Sequence, residues 1–153
     1  MARLNGAALL ASGFGAGYVP RAPGTAGSLL AVIAGAGLMR LRAGTLPAAV
    51  AAASLGGLWA VRRSAGGADA GWVVIDEVAG QWVALLGLAR PRLRGLAAAF
   101  ALFRFFDIAK PGPVGWADRQ AGPAAVMGDD LIAGAMTAGL LWALRRRWPR
   151  LLD

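Results

Sequence analysis

The sequence predicts an all-α protein: a compact bundle of about five main helices, embedded in or associated with a membrane, with a polar site at one end. Three observations carry that expectation. First, the 153 residues are 58% apolar and only 16% charged, with a mean hydropathy of +0.56, whereas soluble domains run at about 45–50% apolar and about 25% charged. Second, five apolar stretches, at 22–39, 43–61, 78–89, 95–103 and 131–144, are separated by glycines, prolines and arginines. Third, there are only eight carboxylates, and all but Asp153 fall within 69–77 or 107–130. An ordinary soluble surface intersperses both signs of charge along the whole chain.

Each stretch has its own justification as a helix. Residues 22–39 and 43–61 are charge-free. Each approaches the roughly 20 residues that a helix needs to cross a bilayer core. Pro23 and Pro47 lie near their starts, where proline is tolerated, and Arg40, Arg42 and Gly44 mark the turn of a helical hairpin. Gly56, Gly57 and the surrounding alanines allow close backbone approach. The later runs are shorter. Residues 131–144 cover roughly 21 Å, too little to span unless the ends reach the headgroups. Trp142 and Trp148 suit an interfacial belt, with the C-terminal arginines snorkelling outward. Glycines 13, 15 and 17 break the early apolar stretch, so no cleaved signal peptide is expected.

Helices alternating in direction bring the segments 13–25, 62–77 and 104–130 to one end of the bundle. Charge bias does not orient it. The site end would carry Arg3, Arg21, Arg62, Arg63, Arg104, Lys110 and Arg119, and the opposite end Arg40, Arg42, Arg90, Arg92, Arg94 and the four C-terminal arginines.

With no cysteine and no histidine, the chain has no disulfides, no Cys nucleophile, no Ser-His-Asp triad and no imidazole base. What remains is carboxylates, arginines, one lysine, a few hydroxyls, backbone amides, or a metal held by oxygen. The Gly/Pro-rich run from Gly13 to Ser28 leads into a helix start, where free N–H groups with Thr25 and Ser28 make an anion site. It is not a Walker loop, since no lysine follows the glycines. Asp76 and Glu77 are adjacent in an apolar setting, which is costly without a cation or metal. Asp76 shares a helix face with Gly80, and Glu77 with Gln81. Arg104 and Asp107, three apart, can pair, and Lys110, the only lysine beside fifteen arginines, precedes the helix-ending Pro111. A lone lysine suits a compact phosphate donor. Asp129 and Asp130 open the last apolar run, one of them as an N-cap. With Asp76 and Glu77 they could complete an oxygen-rich Mg²⁺ site of the kind that bridges to substrate phosphate; capping and local ion pairs are the structural alternative.

The runs Gly13–Ser28, Ile75–Trp82 (IDEVAGQW), Phe103–Pro113 (FRFFDIAKPGP) and Met127–Gly134 (MGDDLIAG) resemble the signature blocks of the phosphatidylglycerophosphatase A family, in the same order and with similar spacing. The resemblance covers nearly the whole chain as one domain, 1–153. It implies a Mg²⁺-dependent enzyme of the bacterial inner membrane, its site facing the cytoplasm. Such an enzyme removes the terminal phosphate of phosphatidylglycerol phosphate to leave phosphatidylglycerol. By residue match, Asp76, Glu77, Arg104, Asp107, Lys110, Asp118, Asp129 and Asp130 inherit the expected site. One departure is Gly122-Pro123-Ala124-Ala125-Val126-Met127, where similar sequences read Gly-Gly-x-Gly-Ile-Met. Histidine-dependent lipid phosphatases, Asp-x-Asp phosphatases and CDP-alcohol transferases find no matching motif.

The resulting expectation places the metal on Asp76, Glu77, Asp129 and Asp130, and catalysis on Asp76, Arg104, Asp107, Lys110 and Asp118. Arg21, Gly24, Thr25, Ser28 and Arg119 are the candidate substrate-phosphate residues. Attack by water and an aspartyl-phosphate intermediate both remain open. The alternatives are a phosphatase of another lipid or small phosphomonoester, and a non-enzymatic membrane bundle with buried ion pairs. No nucleic-acid partner is expected.

Overall fold

The computed structural model describes residues 5–68 and 70–152. Arg3 and Asp153, named above, and Asp69, which opens the first carboxylate window, lie outside the described residues. The described chain is all-helical, with helices α1 (Gly6–Ala11), α2 (Pro23–Leu38), α3 (Thr45–Ser64), α4 (Ile75–Leu85), α5 (Leu93–Ala109), α6 (Pro113–Asp118) and α7 (Pro123–Arg147). Single 3₁₀ turns occupy Ala16–Tyr18 and Pro149–Leu151. Five of the helices are long, and α1 and α6 are short additions that the hydrophobic pattern does not resolve.

Helix α4 is the centre. Its main partner is α7, while α2 and α3 flank it and α5 and α6 lean on α7. Glycines set the spacing of the central pair. A Cβ on Gly80 would strike the Asp130 carbonyl and the Phe103 ring, one on Gly134 would strike the Gly80 carbonyl, and one on Gly87 would strike the Ala138 backbone. Backbone therefore meets backbone along most of the α4–α7 contact, bringing the first turn of α4 against the second turn of α7.

The expected hairpin of the first two long helices is corrected in its packing. Helices α2 and α3 are joined by a short loop, yet each rests on α4 and they hardly touch one another. Their small residues serve other partners: Gly35 sits under Trp82 and Leu85, and Gly57 under Met127 and Ile75.

The candidate spans also change. Among the described residues one helix, α7, is long and apolar enough to cross a membrane. Helix α2 has 16 residues. Its length is therefore only about 24 Å. Helix α3 is long enough but fills its apolar positions mostly with alanine and glycine. Helix α7 is 25 residues long because it begins at Pro123, well before the apolar run at 131–144. Proline supplies a fixed φ at the first helical position, after Gly122 turns the chain at φ 95°. Asp129 and Asp130 are consequently interior helix residues, and neither is the N-cap.

Local chain reversals place the polar segments. Lys110 ends α5 in the left-handed region at φ 46°, directly before Pro111, and Gly112 at φ 51° leads into α6. At the other end of the bundle, Leu152 is buried against Leu88 and the backbone of Gly95, tying the C-terminus to the α4–α5 loop.

The glycine contacts give a direct test. Gly134→Ala should cost on the order of 1–3 kcal/mol, because its new methyl meets the Gly80 carbonyl. Gly139→Ala, on the same helix with open space at its Cβ, should be neutral or stabilise by up to about 1 kcal/mol. Thermal unfolding of both variants in detergent measures the difference, and equal melting temperatures would contradict the packing.

Candidate active site

The three expected segments do converge. The first turn of α4 contributes Asp76 and Glu77 at the positive end of the helix dipole, with no side-chain cap competing for the N–H groups. Helix α7 contributes Asp130, held opposite by the Gly80 contact. One ligand oxygen from each of Asp76, Glu77 and Asp130 lies within 4.8 Å of the other two, and Asp76 and Asp130 are buried. Glu77 Oε2 and Asp130 Oδ1 are buried and lack a hydrogen-bond partner. Unsatisfied carboxylate oxygens in a low-dielectric interior are costly, and three converging carboxylates suit a hard divalent cation.

Asp129 does not join this trio. Adjacent helical residues differ by about 100° in direction, so Asp129 turns away from Asp130 and meets Lys110. Lys110 Nζ donates to Asp129 Oδ2 at 2.5 Å and to Asp118 Oδ1 at 2.7 Å. Arg104 donates through one terminal nitrogen to Asp107 Oδ2 and, at 3.4 Å, to Ser28 Oγ, which itself donates to the Gly24 carbonyl at 2.8 Å. Gly24 is required as glycine, since a Cβ there would collide with the Glu77 carboxylate and crowd Arg104. The Arg104–Asp107 pair thus faces the trio from the α2 side, and the Lys110 bridge stands on the α6–α7 side.

Of the other phosphate-binding candidates, Arg21, Thr25 and Arg119 are exposed. Arg21 adopts a left-handed φ of 74° just before α2, whose N-terminal N–H groups have no side-chain cap. Gln81 is a residue that the sequence puts on the Glu77 face without marking it as part of the site. It is fully buried with neither amide atom partnered. Its position one turn beyond Glu77 is the available signal.

Two hollows flank α4. A polar cavity of about 430 Å³ is lined by Asp76, Asp118 and Asp129 together with the 66–68 and 120–122 loops. A larger groove of about 610 Å³ is apolar, runs between α2 and α3, and touches α4 at Ile75, Val78 and Trp82. Those positions lie on the opposite side of α4 from Asp76 and Glu77, so the polar cavity is the route to the carboxylates.

Burial and mutual repulsion shape the electrostatics of the site. Burial, reinforced by the neighbouring Asp76 carboxylate, pushes Glu77 from its ordinary 4.5 up to about 10. Burial works against a charged Lys110, but the hydrogen bonds to Asp118 and Asp129 outweigh it and hold its pKa above the ordinary 10.5.

Comparison with known proteins decides the lineage. The family model described as phosphatidylglycerophosphatase A matches residues 9–145. The chain belongs to the phosphatidylglycerophosphatase A family. It is 36% identical over 145 residues to the phosphatidylglycerophosphatase A of Escherichia coli, covering 92% of this chain and 84% of that protein. The Haemophilus influenzae phosphatidylglycerophosphatase A is 35% identical over 147 residues, covering 93% and 90%. A Bacteroides thetaiotaomicron protein provisionally named a phosphatidylinositol-3-phosphatase is 40% identical over 146 residues, covering 90% and 92%. No solved structure matches. The four motifs of the phosphatidylglycerophosphatase A resemblance all fall within the matched range, and three of them supply the charged cluster.

The raised Glu77 gives a pH test. In metal-free protein the folded state holds a proton that the unfolded chain releases near 4.5, so stability declines as pH rises from there toward 10. The melting temperature in chelator should therefore fall between about pH 5 and about pH 9, and a divalent cation should flatten that fall. A level profile in chelator would contradict the buried protonated carboxyl.

Proposed function

We propose that this protein is a Mg²⁺-dependent phosphatase that hydrolyses the terminal phosphate of phosphatidylglycerol phosphate, releasing phosphatidylglycerol and inorganic phosphate. The observation that carries the reading is the buried Asp76, Glu77 and Asp130 trio, with two orphaned oxygens, flanked by Arg104 and Lys110 at one end of the bundle. Family membership supplies the substrate.

Asp76, Glu77 and Asp130 would hold the cation, and all-oxygen donors favour Mg²⁺ over softer metals. When bound, the ion supplies Lewis-acid polarisation of a phosphoryl oxygen and a lowered pKa for bound water. The chain's own groups do the rest. Arg104, fixed by Asp107 and Ser28, presents a rigid guanidinium fork toward phosphate oxygens. Lys110 supplies a point charge that Asp118 and Asp129 hold in place until substrate competes for it. Exposed Arg21 and Arg119, with the uncapped start of α2 at Gly24 and Thr25, attract the anionic headgroup. Asp107 and Asp118, outside the trio, are the carboxylates that accept or return a proton. The polar cavity beside Asp76 would admit the headgroup. We place the protein in the inner membrane, with this end toward the cytoplasm.

The Bacteroides relative motivates a second reading, in which the same site acts on a phosphorylated inositol lipid. Phosphate release by purified, detergent-solubilised protein tests both, with phosphatidylglycerol phosphate and phosphatidylinositol 3-phosphate compared at equal surface concentration. The expected result is turnover of the glycerol lipid that stops with chelator and falls at least about 100-fold in Asp130→Asn. Lys110→Met should lower turnover by about 10²–10³-fold. Preference for the inositol lipid would transfer the assignment to the second reading, and no release of either phosphate from folded protein would overturn both.

A further inference from the structure

The end of the bundle opposite the carboxylates carries nine arginines, in the α2–α3 loop, in the α4–α5 loop with the first turn of α5, and in the last turn of α7 onward. The cluster of Leu38, Leu46, Leu88, Leu144 and Leu152 brings these three segments together. Among the described residues none of the nine makes a salt bridge, because every salt bridge there involves Arg104 or Lys110. The six described carboxylates all lie within 76–130, at the other end. Nine guanidinium groups gathered with no counter-ion among the described residues repel one another, and an external anion relieves that repulsion.

The anion's chemistry follows from the floor beneath the charges. A shallow depression of about 590 Å³ is formed almost wholly of apolar surface, from Trp148, Leu151 and the hydrocarbon stems of Arg94 and Arg150, both of which are exposed at the end that carries the nine arginines. Trp148 is half exposed and stacks under Arg147 at 5.2 Å, and Trp142 stacks under Arg146 at 4.6 Å. The stacks are attractive in themselves, and tryptophans beside cations suit the headgroup level of a membrane, where tryptophan is enriched. A soluble anion would use the charges and leave the apolar floor wet; an amphiphile uses both.

We propose that this end is a second lipid site, binding the phosphate headgroup of an anionic phospholipid between Arg94 and Arg150, with the start of its acyl chains over Trp148 and Leu151. The site is independent of the phosphatase reading. Helix α7 carries both Asp130 and Arg147, and its rise between them separates the two sites by about 25 Å.

Native mass spectrometry of the full chain in neutral detergent tests the site, counting lipid retained after incubation with dioleoyl phosphatidylglycerol or dioleoyl phosphatidylcholine. Inorganic phosphate serves as competitor. Retention of the anionic lipid should exceed that of phosphatidylcholine by about tenfold. The double variant Arg94→Gln with Arg150→Gln should lose about tenfold or more of that retention, while phosphatase turnover stays within about twofold. Arg94→Lys with Arg150→Lys should keep it, which separates charge from folding. Lipid held at the carboxylate end would persist in the glutamine variant, so unchanged retention there overturns the proposal. Equal retention of the two lipids, or full displacement by millimolar phosphate, also overturns it.

Discussion

The backbone contact between α4 and α7 is the constraint on which the site depends. Without Cβ atoms at Gly80 and Gly134, and at Gly87 just past the end of α4, the two helices close to van der Waals distance, and only at that distance do Asp76 and Glu77 share a volume with Asp130. Like charges so close repel, and burial withholds the water that would screen them. The glycines therefore force together groups that electrostatics would drive apart. A protein under selection for stability alone would fill this interface with apolar side chains. Carboxylates at this interface, with orphaned oxygens on Glu77 and Asp130, are the donor set that a hard divalent cation takes.

The flanking cations explain how the cluster stays local. Arg104 and Lys110 are each taken up by carboxylates outside the trio, Asp107 for the first and Asp118 with Asp129 for the second. Neither pairs with the trio through a salt bridge. Each is oriented by a partner on its own or a neighbouring helix, with Ser28 steadying Arg104 from α2. Two cations held at arm's length from a cation-binding trio form a geometry for a bridging anion, and phosphate has the oxygens to meet all of them.

Much of this is legible in the sequence because carboxylates are so scarce in it. Their restriction to two windows points to one polar end, and the Arg104–Asp107 spacing and the Pro111 helix stop fix local detail that the structure reproduces. What is not legible is phase and helix length. Adjacent Asp129 and Asp130 look equivalent in a linear string, yet about 100° of rotation sends one to Lys110 and the other to the trio. Hydrophobicity alone starts the last helix at 131, whereas proline chemistry at Pro123 sets its true beginning. Packing partners are hidden for a related reason. Gly35 and Gly57 announce close approach without saying to what, and both face α4 or α7 rather than one another.

The length of α7 reconciles buried carboxylates with a membrane setting. Asp129 and Asp130 are the seventh and eighth residues of the helix, which puts them roughly 10 Å from its first residue. Were α7 to cross the bilayer, that depth would correspond to the headgroup and upper acyl region, not to the centre of a ~30 Å hydrocarbon core. Ionisable groups there cost far less than at the midplane, and a phospholipid's phosphate lies at the same level. The short α4 fits the same arrangement. Its 11 residues carry the other two carboxylates at its outermost turn, and the whole helix covers only about 17 Å. In that arrangement the headgroup of a bilayer lipid would meet the carboxylates without its chains leaving the bilayer, which is the geometric condition a phosphatase acting on a membrane-resident substrate has to satisfy.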